Sequence, residues 1–484
     1  MPRAAQTTPD PPSPADPFEA ARWDESRRRR RLLEGTWRAD LVERLEQHLG
    51  TVRRQAWGVP SLAINPFRNI SRELAVLYDR PPAVSNDAAD VERMVENVQL
   101  SGLWGMMSRV QAYTVGLREM LIRAHVDARG RLRYRQVSPD LVLAGASPDI
   151  PDRPVVVHEF RLRQHPTKAT EKAWTVDVLD VSDPENPIYE VHEALAGAKL
   201  GENWSQHFLG SSMSGEAYPY RRNDGRPVLP YVLHHAQRLG DRLWDSFEGS
   251  ELVDASLDLA VLHCMLVHTY RDASWPQRYV LNAQPAGMSI TESGDGRRAE
   301  VISDPASLLV LETIESDGAP QPMIGQWKPG GDVAAMEETL SNMVARVATD
   351  AGVPPSDVQR LGGTARSGAA ISLTNEGKRQ AQRRYAGQFR DTDERLMMIS
   401  AIMLNRATGT TYPEGGYNVR YLEIPLSPDE LKARRDHVLE LTREGLMSPI
   451  QAYQEIHPGT SKQAAEAAIR EIGRGRALMT LTAS

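Results

Sequence analysis

An α+β fold in one elongated protomer is what this 484-residue chain predicts. Three observations predict it. Apolar residues recur at helical spacing at both ends of the chain, and alternate between about Val115 and Leu195. Two further helical stretches bracket a turn-rich insert at 275–331. With 40% hydrophobic and 25% charged residues, the chain has apolar mass for a core and is not globally disordered.

The elements follow in order. Residues 1–17 carry six prolines and read as a flexible arm. From Phe18 to Gly50 the pattern is helical, with Leu33, Trp37, Leu41, Leu45 and Leu49 forming one buried stripe. The run Arg27–Arg31 lies in this stretch. Five consecutive positions point all round a helix, so the run reads as a solvated face or as inter-subunit salt bridges. After Pro60 and Pro66 a short helix is expected around Asn69–Tyr78, ended by Pro81-Pro82, and a longer one from Ala88 to Tyr113.

The middle of the chain reads as an antiparallel meander with one wet face. Leu132 and Tyr134 alternate with arginines, Val156, His158, Phe160 and Leu162 alternate with Val155, Val157, Glu159 and Arg161, and Trp174, Val176 and Val178 continue the pattern. Gly215–Tyr231 is punctuated by proline and glycine. The apolar helix Leu252–Ser274, roughly 35 Å long, is interrupted by Asp254, Asp258, His263 and His268, so it reads as packed against protein rather than as a membrane span. The insert holds the strand-like runs Arg278–Leu281 and Leu308–Thr313.

A second helix is expected from Asp332 to Ala351, with Met336, Leu340, Met343, Val344 and Val347 on its apolar face. Gly352–Ser367 reads as a loop with Arg360, Gly362, Gly363 and Arg366 and one acid, Asp357. From Gly368 to about Ala407 the pattern fits one helix of roughly 60 Å, in which Gly377 and Gly387 are the places for a kink. A strand at Tyr417–Leu426 and a helical tail follow. Ser427-Pro428-Asp429-Glu430 forms a capping box, and Ser448-Pro449 and Thr460 open two more helices.

Several function classes are disfavoured. The lone Cys264 cannot form an intrachain disulfide or a multi-cysteine metal site, and it fits a reducing compartment. No apolar h-region follows Met1, so no secretory signal is expected. A net charge of −7 argues against a generally basic nucleic-acid coat. Gly363–Gly368 opens like a phosphate loop but continues Ala369-Ala370, without the lysine that reaches the phosphates. His192-Glu193 lacks the second histidine of a metalloprotease, and His234-His235 points opposite ways on a strand. Ser211, Ser212 and Ser214 form no nucleophile elbow, and the acids are scattered. A non-enzymatic protein without cofactors is expected.

The order of elements and four local patterns resemble the tailed-bacteriophage portal proteins, the head-to-tail connectors of long-tailed phages. Gly225-Arg226-Pro227-Val228-Leu229-Pro230-Tyr231 resembles the passage before the family's first stem helix, and Glu251–Asp272 resembles that helix. Ser367-Gly368-Ala369-Ala370-Ile371 is similar to the start of the long helix after the tunnel loop. Glu444–Ser448 and Glu455–Gly459 are similar to the closing crown helices.

The resemblance implies an α+β portal protomer with mainly helical stem, wing and crown and β-rich segments in wing and clip. The arm would be 1–17, the wing 18–247 and 371–426, the stem 248–274 and 332–353, the clip 275–331, the tunnel loop 354–370 and the crown 427–484. It also implies a homo-oligomeric ring, a dodecamer, at one capsid vertex, through which double-stranded DNA is packaged and ejected. Implied partners are the major capsid protein, the terminase large subunit and then the head–tail adaptor, with no membrane. The location would be the host cytoplasm before assembly and the virion after it.

Arg360, Gly362, Gly363 and Arg366 would face DNA in the channel, with Lys378, Arg379, Arg383 and Arg384 as weaker candidates, some of which would pair with neighbouring subunits. Arg297, Arg298 and Lys328 would serve the clip contacts. Two other readings stand beside this one: a nucleic-acid enzyme, either nuclease or packaging ATPase, or another head–tail connector component.

Overall fold

Proline and glycine set the boundaries of the N-terminal helices. Helix α1 (Pro17–Glu34) opens with Asp16 accepting from the Glu19 N–H and stops at Gly35, φ 84°, whose N–H returns to the Arg31 carbonyl. The expected single stretch is therefore two helices, α1 and α2 (Arg38–Leu49), with Trp37 at the break. The stripe survives the break: Leu33, Trp37, Leu41 and Leu45 are buried and Leu49 partly so. The computed structural model describes residues 13–51, 59, 63–86, 91–164, 172–194, 199–200, 213–214, 218–245, 251–274, 277–281, 283–285, 311–313, 323–327, 332–355, 358, 368–424, 428–457 and 462–482.

Helix α3 runs Pro66–Glu73, earlier than the expected Asn69–Tyr78. The Asn65 side chain caps it by accepting from the Arg68 N–H, and Gln111 draws the following chain away by accepting from the Leu77 N–H at 2.9 Å. Past strand β1 (Ala83–Ser85), the expected Ala88–Tyr113 helix divides into α4 (Val91–Leu100) and α5 (Leu103–Leu117) at Gly102, φ 76°.

The meander divides into two sheets. Strands β2 (Glu119–Val126) and β3 (Leu132–Val137) are joined by β9 (Tyr231–His235) in the order β9-β2-β3. Strands β4 (Val142–Ser147), β5 (Ile150–Gln164), β6 (Lys172–Asp180), β7 (Ile188–Ala194) and β8 (Met213–Ser214) form the second sheet in the order β8-β7-β6-β5-β4. The expectation of one wet face is corrected. Phe160 and Val176 pack under Trp23 of α1 on one face, while Val157 and Leu179 on the other join Leu121, Tyr231 and Leu233 of the first sheet.

The charges on that second face are buried as well. Arg123 of β2 donates to Asp177 at 2.6 Å and to Glu159 at 3.1 Å, Arg163 donates to Asp177 at 2.6 Å, and Tyr231 donates to Glu159 at 2.7 Å. Arg135 pairs with Glu159 too. The two sheets are thus locked by a network of paired opposite charges, which is how buried charge is tolerated.

The arginine run is likewise internal. Arg29 donates to the Gly116 carbonyl at 3.2 Å, Arg30 pairs with buried Asp140 at 2.8 Å, Arg31 with Asp40, and Arg28 with Asp254 at 3.5 Å. These pairs tie α1 to the elements around it. They replace the expected solvated face or inter-subunit bridges.

Helix α6 (Glu251–Ser274) packs on α2, α3 and α7 (Val333–Asp350). By length and composition its Glu251–Arg271 segment is apolar enough to cross a membrane, with a mean hydropathy of 1.4. Val253, Leu257, Ala260, Val261 and Cys264 are instead buried in the core. Between the helices, β10 (Gln277–Leu281) pairs antiparallel with β13 (Met323–Trp327), and β11 (Ala283–Pro285) with β12 (Leu311–Thr313).

Helix α8 (Gly368–Thr408) is continuous over 41 residues, through both glycines. Gly377 is needed for packing, because a Cβ there would meet Pro354 Cδ at 3.1 Å. Phe389, Leu396, Met397, Ile399 and Ile402 bury the helix in the core, where it packs on β9 and β2. The return strand shortens to β14 (Asn418–Arg420), paired antiparallel with β1. The tail holds α9 (Pro428–Arg443), α10 (Pro449–Ile456) and α11 (Lys462–Thr482). Ser448 and Gln451 make the reciprocal capping box of α10; Ser427 lies outside the described residues.

Candidate functional site

Helices α6 and α7 pack on each other as a pair. Asp332 caps α7 by accepting from the Ala335 N–H at 3.1 Å. Leu340, Val344 and Ala348 face inward, and Tyr270 of α6 donates to Glu337 at 2.9 Å. Two residues expected on the apolar face, Met336 and Met343, are exposed instead. They lie seven residues apart and so share one side of the helix. Leu262, Val267 and Tyr270 are the exposed apolar residues of α6. Burial pushes the Cys264 thiol up to about 11, so it stays protonated and packs as a small apolar group.

Of the candidate channel residues, Lys378 and Arg379 are described. Lys378 lies 3.9 Å from Glu73 of α3, and Arg379 is 3.3 Å from Glu376 one turn back. Both therefore have acidic partners within the chain. Arg383 shares Glu376 at 3.7 Å. Among the described residues no carboxylate lies within 4.0 Å of Arg384, Arg390 or Arg420. Arg360, Gly362, Gly363, Arg366, Arg297, Arg298 and Lys328 lie outside the described residues.

A cationic cavity of about 390 Å³ is formed by Arg379, Arg383 and Arg390 of α8, Arg420 of β14, Glu423, and Arg434 of α9. Arg434 is paired with Glu455 at 2.5 Å. Three successive elements bring these guanidinium groups together. Such forks suit phosphate and carboxylate oxygens. Sequence reasoning named Arg379 and Arg383 but missed Arg390, Arg420 and Arg434. The four-residue spacing of 379 and 383 was a local signal, whereas the β14 and α9 contributions are tertiary.

Of a second group of polar residues, sequence reasoning named only His234. Asp393 of α8 is fully buried and accepts hydrogen bonds on one oxygen from Tyr78 and Tyr421, each at 2.7 Å. Burial pushes its carboxyl up to about 7, against the opposing effect of the two hydroxyls. His234 is buried against Phe389, with Thr392 Oγ1 2.7 Å from its Nδ1, and burial takes its imidazole down to about 3. Among the described residues no three His, Cys, Asp or Glu side chains converge to hold a metal.

Comparison with known proteins yields no matching family model and no matching curated protein. Among solved structures, the chain is similar to a chain of the virion of a native gene transfer agent particle, at 13% identity and a TM-score of 0.39, covering 82% of this chain and 91% of that one.

Proposed function

We propose that the chain is a portal-type subunit: copies close into a ring at one capsid vertex and form a non-enzymatic conduit for double-stranded DNA. The observation that carries this reading is the helix pair α6–α7. It brackets the small paired-strand insert, leads on to the 41-residue α8, and leaves Leu262, Val267, Met336 and Met343 exposed where one chain alone does not cover them. In a ring, a second copy would bury these side chains. The insert would meet the terminase large subunit and then the head–tail adaptor, the wing would seat in the major capsid protein, and Arg360 and Arg366 would line the channel.

The charge balance supports a conduit. Each phosphate neutralised by Lys or Arg adds salt-dependent affinity, and symmetry multiplies every contact. A chain of net charge −7 would let DNA slide.

Particle mass with negative-stain imaging tests the reading. Twelve copies of a 53.8 kDa chain make a closed ring of roughly 650 kDa. Met343→Glu should cut ring yield while leaving the chain folded, because Met343 is exposed in the single chain. A monodisperse monomer at every protein and salt concentration would overturn the proposal.

A further inference from the structure

We propose that the cationic cavity at the junction of α8, β14 and α9 binds closely spaced phosphate groups, two or more in succession. The site lies within one chain, so the inference depends neither on ring formation nor on the channel loop.

Three features carry it. The first is an excess of positive charge around one space. Arg379, Arg383, Arg390, Arg420 and Arg434 line the cavity, with Glu423 as the carboxylate in its lining. Beside it, Glu376 serves both Arg379, at 3.3 Å, and Arg383, at 3.7 Å, while Glu455 serves Arg434 at 2.5 Å. With all three acids counted, the guanidinium groups still exceed these carboxylates by two. The excess rests on Arg390 and Arg420, which are exposed and have no carboxylate within 4.0 Å among the described residues. Like charges gathered around a concave wall raise the potential inside it and concentrate anions there.

The second feature is arrangement. Arg379, Arg383 and Arg390 fall within about 40° of one another around α8 and run along about 16 Å of it. Ala386 lies on the same stripe, where its short side chain leaves the space open. The walls are held without any ligand. Gln382 Nε2 donates to the Leu422 carbonyl at 2.7 Å, the Tyr421 hydroxyl donates to Asp393 at 2.7 Å, and β14 is paired with β1. Groups placed in advance bind with less ordering cost.

The third feature is size. The cavity is about 390 Å³, within the range of small-molecule sites. One orthophosphate would reach only some of the guanidinium groups. Successive phosphates present oxygens along their length, and each planar fork takes two of them. A carboxylate offers one pair of oxygens to one fork. The same chemistry occurs in a free polyphosphate or nucleoside triphosphate and along a nucleic-acid strand.

The test is isothermal titration of the full chain at pH 7, constant ionic strength and without divalent metals, using orthophosphate, pyrophosphate, tripolyphosphate and citrate. One saturable site per chain is expected, tightening from orthophosphate to tripolyphosphate. Citrate, similar in charge to pyrophosphate, should bind more weakly than it. Arg390→Gln and Arg420→Gln replace exposed side chains and should each weaken tripolyphosphate binding by about fivefold or more, the worth of a charge-assisted hydrogen bond partly open to water. Arg346→Gln, an exposed position of α7 outside the cavity, should leave the affinity unchanged. Displacement of tripolyphosphate by ATP but not by a single-stranded oligonucleotide would support the proposal with a free polyphosphate as the source, and the reverse would support it with a nucleic-acid strand. No saturable binding at millimolar tripolyphosphate would overturn the proposal. So would citrate binding as tightly as pyrophosphate, or a loss in Arg346→Gln equal to that in Arg390→Gln and Arg420→Gln.

Discussion

Replacing Asp393 by asparagine should change how stability depends on pH, by an amount set by the geometry around the carboxyl. Its Oδ2 accepts from Tyr78 and Tyr421, while Oδ1 is buried without a partner. Burial raises the pKa from the usual 3.8 to about 7, and the two hydroxyls only partly oppose it. Between these values the folded chain keeps a proton that the unfolded chain has released. Stability from this group is therefore fully present below about pH 4 and is lost as pH rises through 7. The slope is about −1.4 kcal/mol per pH unit inside the window, roughly 4 kcal/mol in all.

The Asp393→Asn side chain is neutral at every pH. Its carbonyl oxygen accepts the same two hydroxyls, and its amide occupies the place of the unpaired Oδ1. Urea unfolding between pH 5 and 8 should show the variant less sensitive than wild type by about one proton between pH 5 and 7. Near pH 8 the variant should be the more stable of the two. Comparing the two proteins removes the contributions they share: Glu119, pushed up to about 8 by burial, and His234, taken down to about 3. If the two hydroxyls in fact hold Asp393 ionised, the variant will be weaker by a constant amount at all pH values. Parallel curves would refute the argument.

Two further outcomes test the packing. Arg123→Ala should cost about 3 kcal/mol, the lower end for breaking a buried pair, because Asp177 keeps Arg163 and Glu159 keeps Arg135; a urea midpoint within error of wild type would show that the sheet lock contributes nothing. Gly116→Ala should cost about 1–3 kcal/mol through overpacking, since its new Cβ would sit 2.9 Å from Leu33 Cδ1 and 3.1 Å from Ser71 Oγ. Combining it with Leu33→Ala should cost less than the two changes summed, as expected for side chains in contact.

The helices were legible wherever their signal is local. Asp332, the Ser448-Pro449 start and the long proline-free run from Gly368 all predicted elements that the structure contains. Breaks at single glycines were not legible, because Gly35 and Gly102 take positive φ where Gly377 and Gly387 remain helical. Glycine permits both, and packing chooses. The meander was read in the right place with the wrong exposure. Alternating charge looks solvated until a second sheet covers it, and that sheet depends on β9, about a hundred residues downstream of its partner β2. The cationic cavity was only partly visible for the same reason: Arg420 and Arg434 share no spacing with the arginines of α8.

Arginine placement also alters what net charge can say about this chain. The conspicuous basic run, Arg27–Arg31, is engaged with Asp140, Asp40, Asp254 and a buried carbonyl. Arg22 and Arg123 are likewise held inside. Their charges are compensated within the chain and offer little to an outside anion. Among the described residues, exposed arginines with no carboxylate within 4.0 Å are spread over several elements, including Arg38 of α2, Arg93 of α4, Arg346 of α7, Arg384 and Arg390 of α8, Arg420 of β14, and Arg435 and Arg443 of α9. Single cations scattered among acidic neighbours differ from a continuous basic surface. Debye screening confines each to about 8–10 Å at ordinary salt, so contact with an anionic polymer would be local and weak per subunit. A conduit through which DNA must move needs that property, and a coat that must hold DNA would have to lack it.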